Sequence, residues 1–286
     1  MFRRPLIGCA LVAAALVSVS LAAAAHGRRG TLAFPSRIVS LSPTMTEDLF
    51  AVGAGKQVVA VDDQSNYPKQ APRTALSGLT PNVEAISAYH PDLVVVSYGG
   101  GYVSQLEQLG IKVVDEPAAA NLAQAYEEIR DLGRITGHEQ KATGVVRSME
   151  VELKRLIQSV PTSRRHLTLY HELDQTYYSA TSATFIGRLY KLFGFRNIAD
   201  AADTAHTGYP QLSAEYILAS NPQIIVLADS KCCGQSARTV AARPGWQTLA
   251  AVKQHRVISV DDDVASRWGP RVVEFARAVA AIAKRS

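Results

Sequence analysis

The chain of 286 residues holds only three cysteines, three methionines and two tryptophans, and aromatic residues make up 7% of it. Cys9 lies in an N-terminal apolar stretch, which leaves Cys232 and Cys233, adjacent in DSKCCGQS. A disulfide framework needs separated cysteines, so none can staple this fold, and these two can pair only with each other or with another molecule. They are a candidate vicinal disulfide, favoured by an oxidising compartment. After the N-terminal stretch no second long apolar segment occurs, so there is no signal for a multi-span membrane protein. The chain also has no G-x-S-x-G elbow, no H-x-H or H-x-x-x-H pair and no G-x-G-x-x-G loop. A hydrolase nucleophile, a compact metal centre and a dinucleotide fingerprint therefore each lack their usual signature.

Charge is also sparse, with a formal net of +5. Arg3 and Arg4 precede an apolar, small-residue run to Leu21, and Ala22–Ala25 offers an A-x-A cleavage site. Residues 1–25 read as a secretory signal, with a polar leader over 26–36. Cleavage would remove two arginines and no acid, leaving a mild positive bias that is no nucleic-acid footprint. Leu6-Ile7-Gly8-Cys9 resembles a lipoprotein box, but it precedes most of the apolar run instead of following it, which argues against lipid attachment. The expected location is the periplasm or the outer face of the cytoplasmic membrane.

What the chain does contain is a pattern that occurs twice. Residues 84–95 read EAISAYHPDLVV and residues 215–226 read EYILASNPQIIV, sharing Glu-x-Ile-x-Ala-x-x-Pro followed by an apolar run. Each copy predicts a short helix with its Glu in the first turn, stopped by Pro91 or Pro222, since the residue before proline is pushed out of the α region. LVVV and IIVL then read as strands buried on both faces of a parallel sheet. Two similar α/β lobes follow, each presenting one glutamate at an equivalent place. Asn82 and Ser213 are the candidate caps.

In the first lobe, strands are expected at 37–41, 58–62, 93–97 and 111–115. A helix is expected from Thr44, whose spacing to Glu47 is that of a capping box, to Gly53. Tyr98-Gly99-Gly100-Gly101 gives a glycine turn into another helix. From His138 to Val160, Ala142, Val146, Met149, Leu153 and Leu156 recur at helical spacing until Pro161. Such a helix is about 30 Å long, enough to pass from one lobe to the other. The second series runs through a strand at 166–173, a helix at 185–193, the repeated unit, a strand at 256–261 and a helix from about Arg271. The chain thus divides into a first lobe at 37–137, a connecting helix at 138–160 and a second lobe at 161–286.

RIVSLSPTMTEDLFAVGAG, NYPKQAP, NVEAISAYHPDLVVVSYGG, GYPQLSAEYILASNPQIIVLAD, RPGWQTLAAVKQHRVISVD and RWGPRVVEF, taken in order, resemble the substrate-binding proteins of ABC importers for cobalamin, haem and ferric siderophores. The cobalamin-binding members look most similar. The resemblance implies an α/β fold of two Rossmann-like lobes joined by one rigid helix, with the ligand in the cleft between them and little lobe motion on binding. It implies that Glu84 and Glu215 meet arginines of a membrane permease, which works with its ATPase subunits. It also implies that Tyr98, Tyr209, Asp263 and Arg267 line the ligand site, with Tyr177, Tyr178 and Gln64 as further candidates. Gln64 stands where an aromatic occurs in cobalamin binders. The implied protein is a monomer without catalysis or cofactor, whose ligand is cobalamin or another metal chelate.

Three rivals can be set against this. A bare-metal receptor would use His90, His171, Glu172, His206 or Asp261–Asp263, which are scattered or sit in a run typical of a turn. A hydrolase lacks its motif. A haem or siderophore receptor of the same fold would call on His171, the tyrosines or Arg267.

Overall fold

A computed structural model describes residues 34–285 of the chain. The signal read at 1–25, including Cys9, and most of the leader lie outside the described residues.

The first lobe contains β1 (Ile38–Ser40), α1 (Pro43–Val52), β2 (Val58–Val61), α2 (Val83–Ser87), β3 (Leu93–Val96), α3 (Gly101–Gln108), β4 (Lys112–Asp115) and α4 (Leu122–Thr136). The helix α5 (Glu139–Gln158) leads to the second series. That series is β5 (Thr168–Glu172), α6 (Phe185–Leu192), β6 (Arg196–Asn197), α7 (Ala214–Ser220), β7 (Ile224–Leu227), α8 (Ser230–Cys233), α9 (Ala237–Ala241), α10 (Ala250–Lys253), β8 (Val257–Ser259), α11 (Asp262–Ser266) and α12 (Val272–Ala283). The two sheets have the same strand order, β2-β1-β3-β4 and β6-β5-β7-β8. Every pairing in both is parallel.

The duplicated pattern therefore marks equivalent places in two equivalent sheets. Every residue of β3 and of β7 is buried, as continuous apolar runs require in a sheet covered on both faces. The side chains of Asn82 and Ser213 accept from the backbone N–H of Ala85 and Tyr216, so each repeated helix starts on its expected cap. His90 and Asn221, the residues before the two prolines, both take left-handed backbone, at φ 48° and 43°. The proline bars them from the right-handed helical region, and the turn into the strand takes the same form in both copies.

On one face of the first sheet, Val39, Leu41 and Val94 pack with Ile86 and Leu106; on one face of the second, Tyr170 and Ile225 pack with Ile217, Val240 and Trp246. The opposite faces share one core. Ala142, Val146, Met149, Leu153 and Leu156, spaced four and three apart along α5, join Met45 and Leu49 of α1 to Leu169, Tyr190 and Phe193 of the second lobe and to Phe275 and Val279 of α12. The stripe is that of an amphipathic helix, and here both lobes supply what it packs against.

One local expectation is corrected and two elements are added. The cap of α1 is Ser42, with Pro43 in the first turn, and Glu47 makes no capping box with Thr44 because its carboxylate is drawn to two arginines of the other lobe. Helix α4, which the sequence reading passed over, forms a hairpin with α5. A side chain at its Gly133 would run into Ala142, so the helices approach there as closely as glycine permits. The two-residue strand β6 was also not foreseen.

His171 lies on β5 with no exposed surface, its Nδ1 2.7 Å from the Tyr190 hydroxyl. Burial alone pulls its pKa down to about 3 from an ordinary 6.5. The unfolded chain therefore binds a proton that the native chain refuses, and stability is lost as pH falls from 6.5 towards 3. Substituting His171→Leu should flatten that acid limb in pH-dependent urea unfolding, where one pH unit corresponds to about 1.4 kcal/mol for a single group; an unchanged slope would refute the assignment. In the shared core, Met149→Ala should lower stability by about 2–5 kcal/mol. Unfolding should remain a single transition, whereas two separated transitions would show that the lobes melt independently.

Candidate ligand-binding cleft

The carboxyl ends of β1, β2 and β3 point to one opening, the usual place for a ligand in an open α/β sheet. A cavity of about 260 Å³ there is lined by the Leu41–Thr44 turn, Asp62, Gln64, Leu79 and Tyr98 of the first lobe, and by Asp263 and Ser266–Trp268 of the second. A second cavity of about 330 Å³ is lined by Ala118–Ala120 after β4 and, from the second lobe, by Ala183–Ile186, His206–Tyr209, Ser266 and Trp268. Ser266 and Trp268 belong to both walls, so the two cavities adjoin.

Tyr98 and Tyr209, from different lobes, are 61% and 49% exposed, which for aromatic side chains leaves ring faces free for a ligand. Burial, and after it the neighbouring Tyr98 phenol, pushes the Tyr209 hydroxyl pKa up. The two tyrosines are thus brought together across the cleft. Behind Tyr98, the Ser97 hydroxyl donates to Ser42 Oγ at 2.7 Å, and Thr46 is bonded to Ser40 and 2.8 Å from Ser65, fixing the turns that form the first wall. Of the three glycines that follow, packing requires only the first. A side chain at Gly99 would collide with the Asp115 carboxylate.

Asp263 and Arg267 are paired at 3.0 Å. The Arg267 guanidinium is buried and largely committed, donating also to Glu47 Oε1 at 2.8 Å, to Asn66 Oδ1 at 3.0 Å and to the Gln64 carbonyl at 3.0 Å. Asn66 in turn donates to Asp263 at 2.9 Å. Arg271 grips Glu47 with two N–H groups, at 2.8 and 2.6 Å, and lies over the Tyr67 ring. The loop around Gln64–Tyr67 and helix α1 of the first lobe are thereby clasped to the segment 263–271 of the second. Gln64 contributes to this clasp through its carbonyl while it lines the cavity.

Tyr177 and Tyr178 line neither cavity. Tyr177, in left-handed backbone, stacks on Trp246 at 5.7 Å and lies under the Arg243 guanidinium, within the second lobe. Tyr178 is half-exposed and bridges to Gln211. Glu84 and Glu215 are exposed in the first turns of α2 and α7. At Glu215, the hydrogen bonds of the helix start, from its own backbone N–H and from Ser213, hold the carboxyl below its usual range. Cys232 and Cys233 at the end of α8 are bonded to each other.

The residues considered for metal are dispersed or engaged. His171 is sealed in the second lobe and Glu172 holds Arg243 at 2.6 Å. Asp261 caps α11, and Asp262 accepts the backbone N–H groups of Ser230, Lys231 and Cys232. This acidic run is therefore a set of caps and ion pairs, and not the solvated turn the sequence suggested. Among the described residues no group of three or more His, Cys, Asp or Glu could hold a metal ion, and no helix is long and apolar enough to cross a membrane. The sequence reading also missed Glu47, Asn66 and Trp268. Only Glu47 carried a signal, and that signal was a local one.

Residues 38–264 match the family profile described as periplasmic binding protein. An uncharacterised ABC transporter substrate-binding lipoprotein of Bacillus subtilis is 34% identical, over 84% of this chain and 77% of that protein. A cobalamin-binding protein of Halobacterium salinarum is 30% identical, over 84% of this chain and 67% of its own length. Among solved structures, the periplasmic vitamin B12 binding protein of Vibrio cholerae superposes with a TM-score of 0.69 at 25% identity, over 88% of this chain and 99% of that one. Periplasmic haem-binding proteins share the fold at lower identity. Two matching parallel sheets joined through one long helix, with a cleft at their strand ends, are the architecture of this group, and the chain belongs to the periplasmic binding protein family.

Proposed function

We propose that the protein is an exported, monomeric substrate-binding protein of an ABC importer that captures cobalamin or a similar corrinoid chelate and delivers it to a membrane permease with its ATPase subunits. It performs no chemistry and needs no resident cofactor. The observation that carries this reading is the pair of exposed tyrosines, Tyr98 and Tyr209, brought from opposite lobes to one cleft. Aromatic faces hold a large flat ligand at low cost in side-chain freedom.

The polar groups of the cleft support a corrinoid over a ferric siderophore. A polyanionic ferric siderophore calls for free cations, and the one arginine lining these cavities spends its donors on Glu47, Asn66, Gln64 and Asp263. Against haem, His171 is buried away from both cavities, whereas His206 and Tyr209 line the second, so the preference for a corrinoid over haem rests on the relatives. The similarity to a cobalamin-binding relative points the same way.

Delivery rests on Glu84 and Glu215. They are equivalent by the repeat, exposed, and set on matching helices of matching lobes, so a permease of approximate twofold symmetry could offer a cation to each. Charge pairs of this kind set orientation and association rate, and salt weakens them. With α5 and the arginine clasp spanning the lobes, ligand capture involves little closure, and the permease reads the lobe surfaces.

Replacing both Tyr98 and Tyr209 by alanine should weaken binding of cyanocobalamin about tenfold or more, since each aromatic contact is worth about 0.5–1.5 kcal/mol beyond its buried area. Calorimetric titration with cyanocobalamin, haemin and a ferric siderophore tests this. Parental affinity of the double variant for each chelate would remove the cleft from consideration, and tightest binding of a siderophore would replace the ligand. For delivery, the double variant Glu84→Lys, Glu215→Lys should lose uptake in cells while the isolated protein keeps its ligand affinity. Normal uptake, or a matching loss of affinity, would rule the docking role out.

A further inference from the structure

We propose that Trp268 is a specificity-determining wall of the cleft, set in place across the lobe boundary by Glu128. This rests on the reading of the cleft as a chelate site.

Trp268 follows α11 and lines both the cavity of Tyr98 and that of Tyr209. The indole N–H donates to Glu128 Oε2 at 2.7 Å, and Glu128 belongs to α4 of the first lobe. Its chain neighbours leave it little freedom. Arg267 is fixed by four hydrogen-bond partners, and a side chain at Gly269 would press on Asp48 and Thr44. An aromatic side chain has two rotatable bonds, so one directed hydrogen bond and a fixed backbone suffice to lock it before any ligand arrives, and pre-organisation of this kind favours affinity and selectivity.

The second observation is the nature of the acceptor. Glu128 is 5% exposed, its other oxygen has no partner, and neither oxygen of buried Asp48 beside it has one. Burial pushes the carboxyl of Glu128 up to about 7 and that of Asp48 well above its usual range, each also raised by neighbouring acids. An uncompensated carboxylate is costly in such a place, and among the described residues the indole is the one hydrogen-bond donor given to this side chain. A buried acid whose single hydrogen bond among the described residues comes from the cleft tryptophan is arranged to aim that tryptophan.

A ligand that fills both cavities passes Trp268, with a part on each side of that residue. That geometry selects a ring carrying substituents on both sides over a bare flat ring, so cyanocobalamin should be preferred to haemin through Trp268.

The chain's other tryptophan, Trp246, is 1% exposed in the second lobe, so the two indoles are separable by fluorescence. Titrating the parent with cyanocobalamin should quench emission, and in Trp268→Phe most of that quenching should vanish. Trp268→Ala should bind cyanocobalamin about tenfold more weakly and show a smaller preference for it over haemin. Glu128→Leu should reproduce much of the loss, and Glu128→Gln, which keeps an oxygen for the indole, should recover it. Circular dichroism and urea unfolding check that each variant is folded. Parental affinity and selectivity in Trp268→Ala, full quenching in Trp268→Phe, or equal damage from Glu128→Gln and Glu128→Leu would each overturn the proposal while leaving the binding function intact. A parent that binds neither probe would instead overturn the ligand reading, and this inference with it.

Discussion

The buried carboxylate of Glu47, held by Arg267 and Arg271, is the contact on which the arrangement of the two lobes depends. All three side chains lie mostly out of water, and charges are costly to desolvate unless each meets its counterpart with good geometry. Here the requirement is met by paired N–H donors on one carboxylate, and it fixes the position of Arg267 and hence of Asp263, Gln64 and Asn66 around the cavity mouth. Removing one member of such a cluster leaves a buried charge without a partner, a loss of about 3–5 kcal/mol. The clasp therefore contributes a defined spacing between the walls more than it contributes net stability. Helix α5 and its shared apolar core supply the second, non-directional tie.

What could be read in the sequence was whatever depends on neighbours within one element. The runs LVVV and IIVL gave their strands, Asn82 and Ser213 their caps, and the apolar spacing from Ala142 to Leu156 the connecting helix. Helix α4 was equally legible, with Ala125, Ile129 and Leu132 at helical spacing after the Asn121 cap, while its Gly133, a residue that weakens helix propensity, is present for close packing on α5. The capping box at Thr44 failed for another reason. Glu47 has a stronger claim on it than the helix start, from arginines more than two hundred residues away, and no local pattern reports such a partner.

The cleft follows the same division. Tyr98 and Tyr209 adjoin elements that the sequence marks, and the fold brings them together. Tyr177, a further candidate in the sequence, has left-handed backbone and stacks on Trp246 instead. Trp268 sits in a short turn without periodicity, so nothing in its surroundings distinguished it from a packing tryptophan; its significance comes from Glu128 on a helix that was itself unread. Family membership, by contrast, rests on the order of many modest signals along 38–264, and it leaves the ligand to a few side chains at the strand ends.

The bond between Glu47 and Arg267 joins positions separated by 220 residues. Contacts of that span form late, because the entropy of closing so large a loop must be met before the contact rewards it. A chain emerging from its N-terminus can therefore build its first sheet early. It cannot bury the inner face of that sheet under a completed core, nor shape the pocket mouth, until the segment carrying Arg267, Trp268 and Arg271 has followed. The mouth of the pocket is thus the last part of the fold to be completed, because its walls wait on contacts between distant parts of the chain.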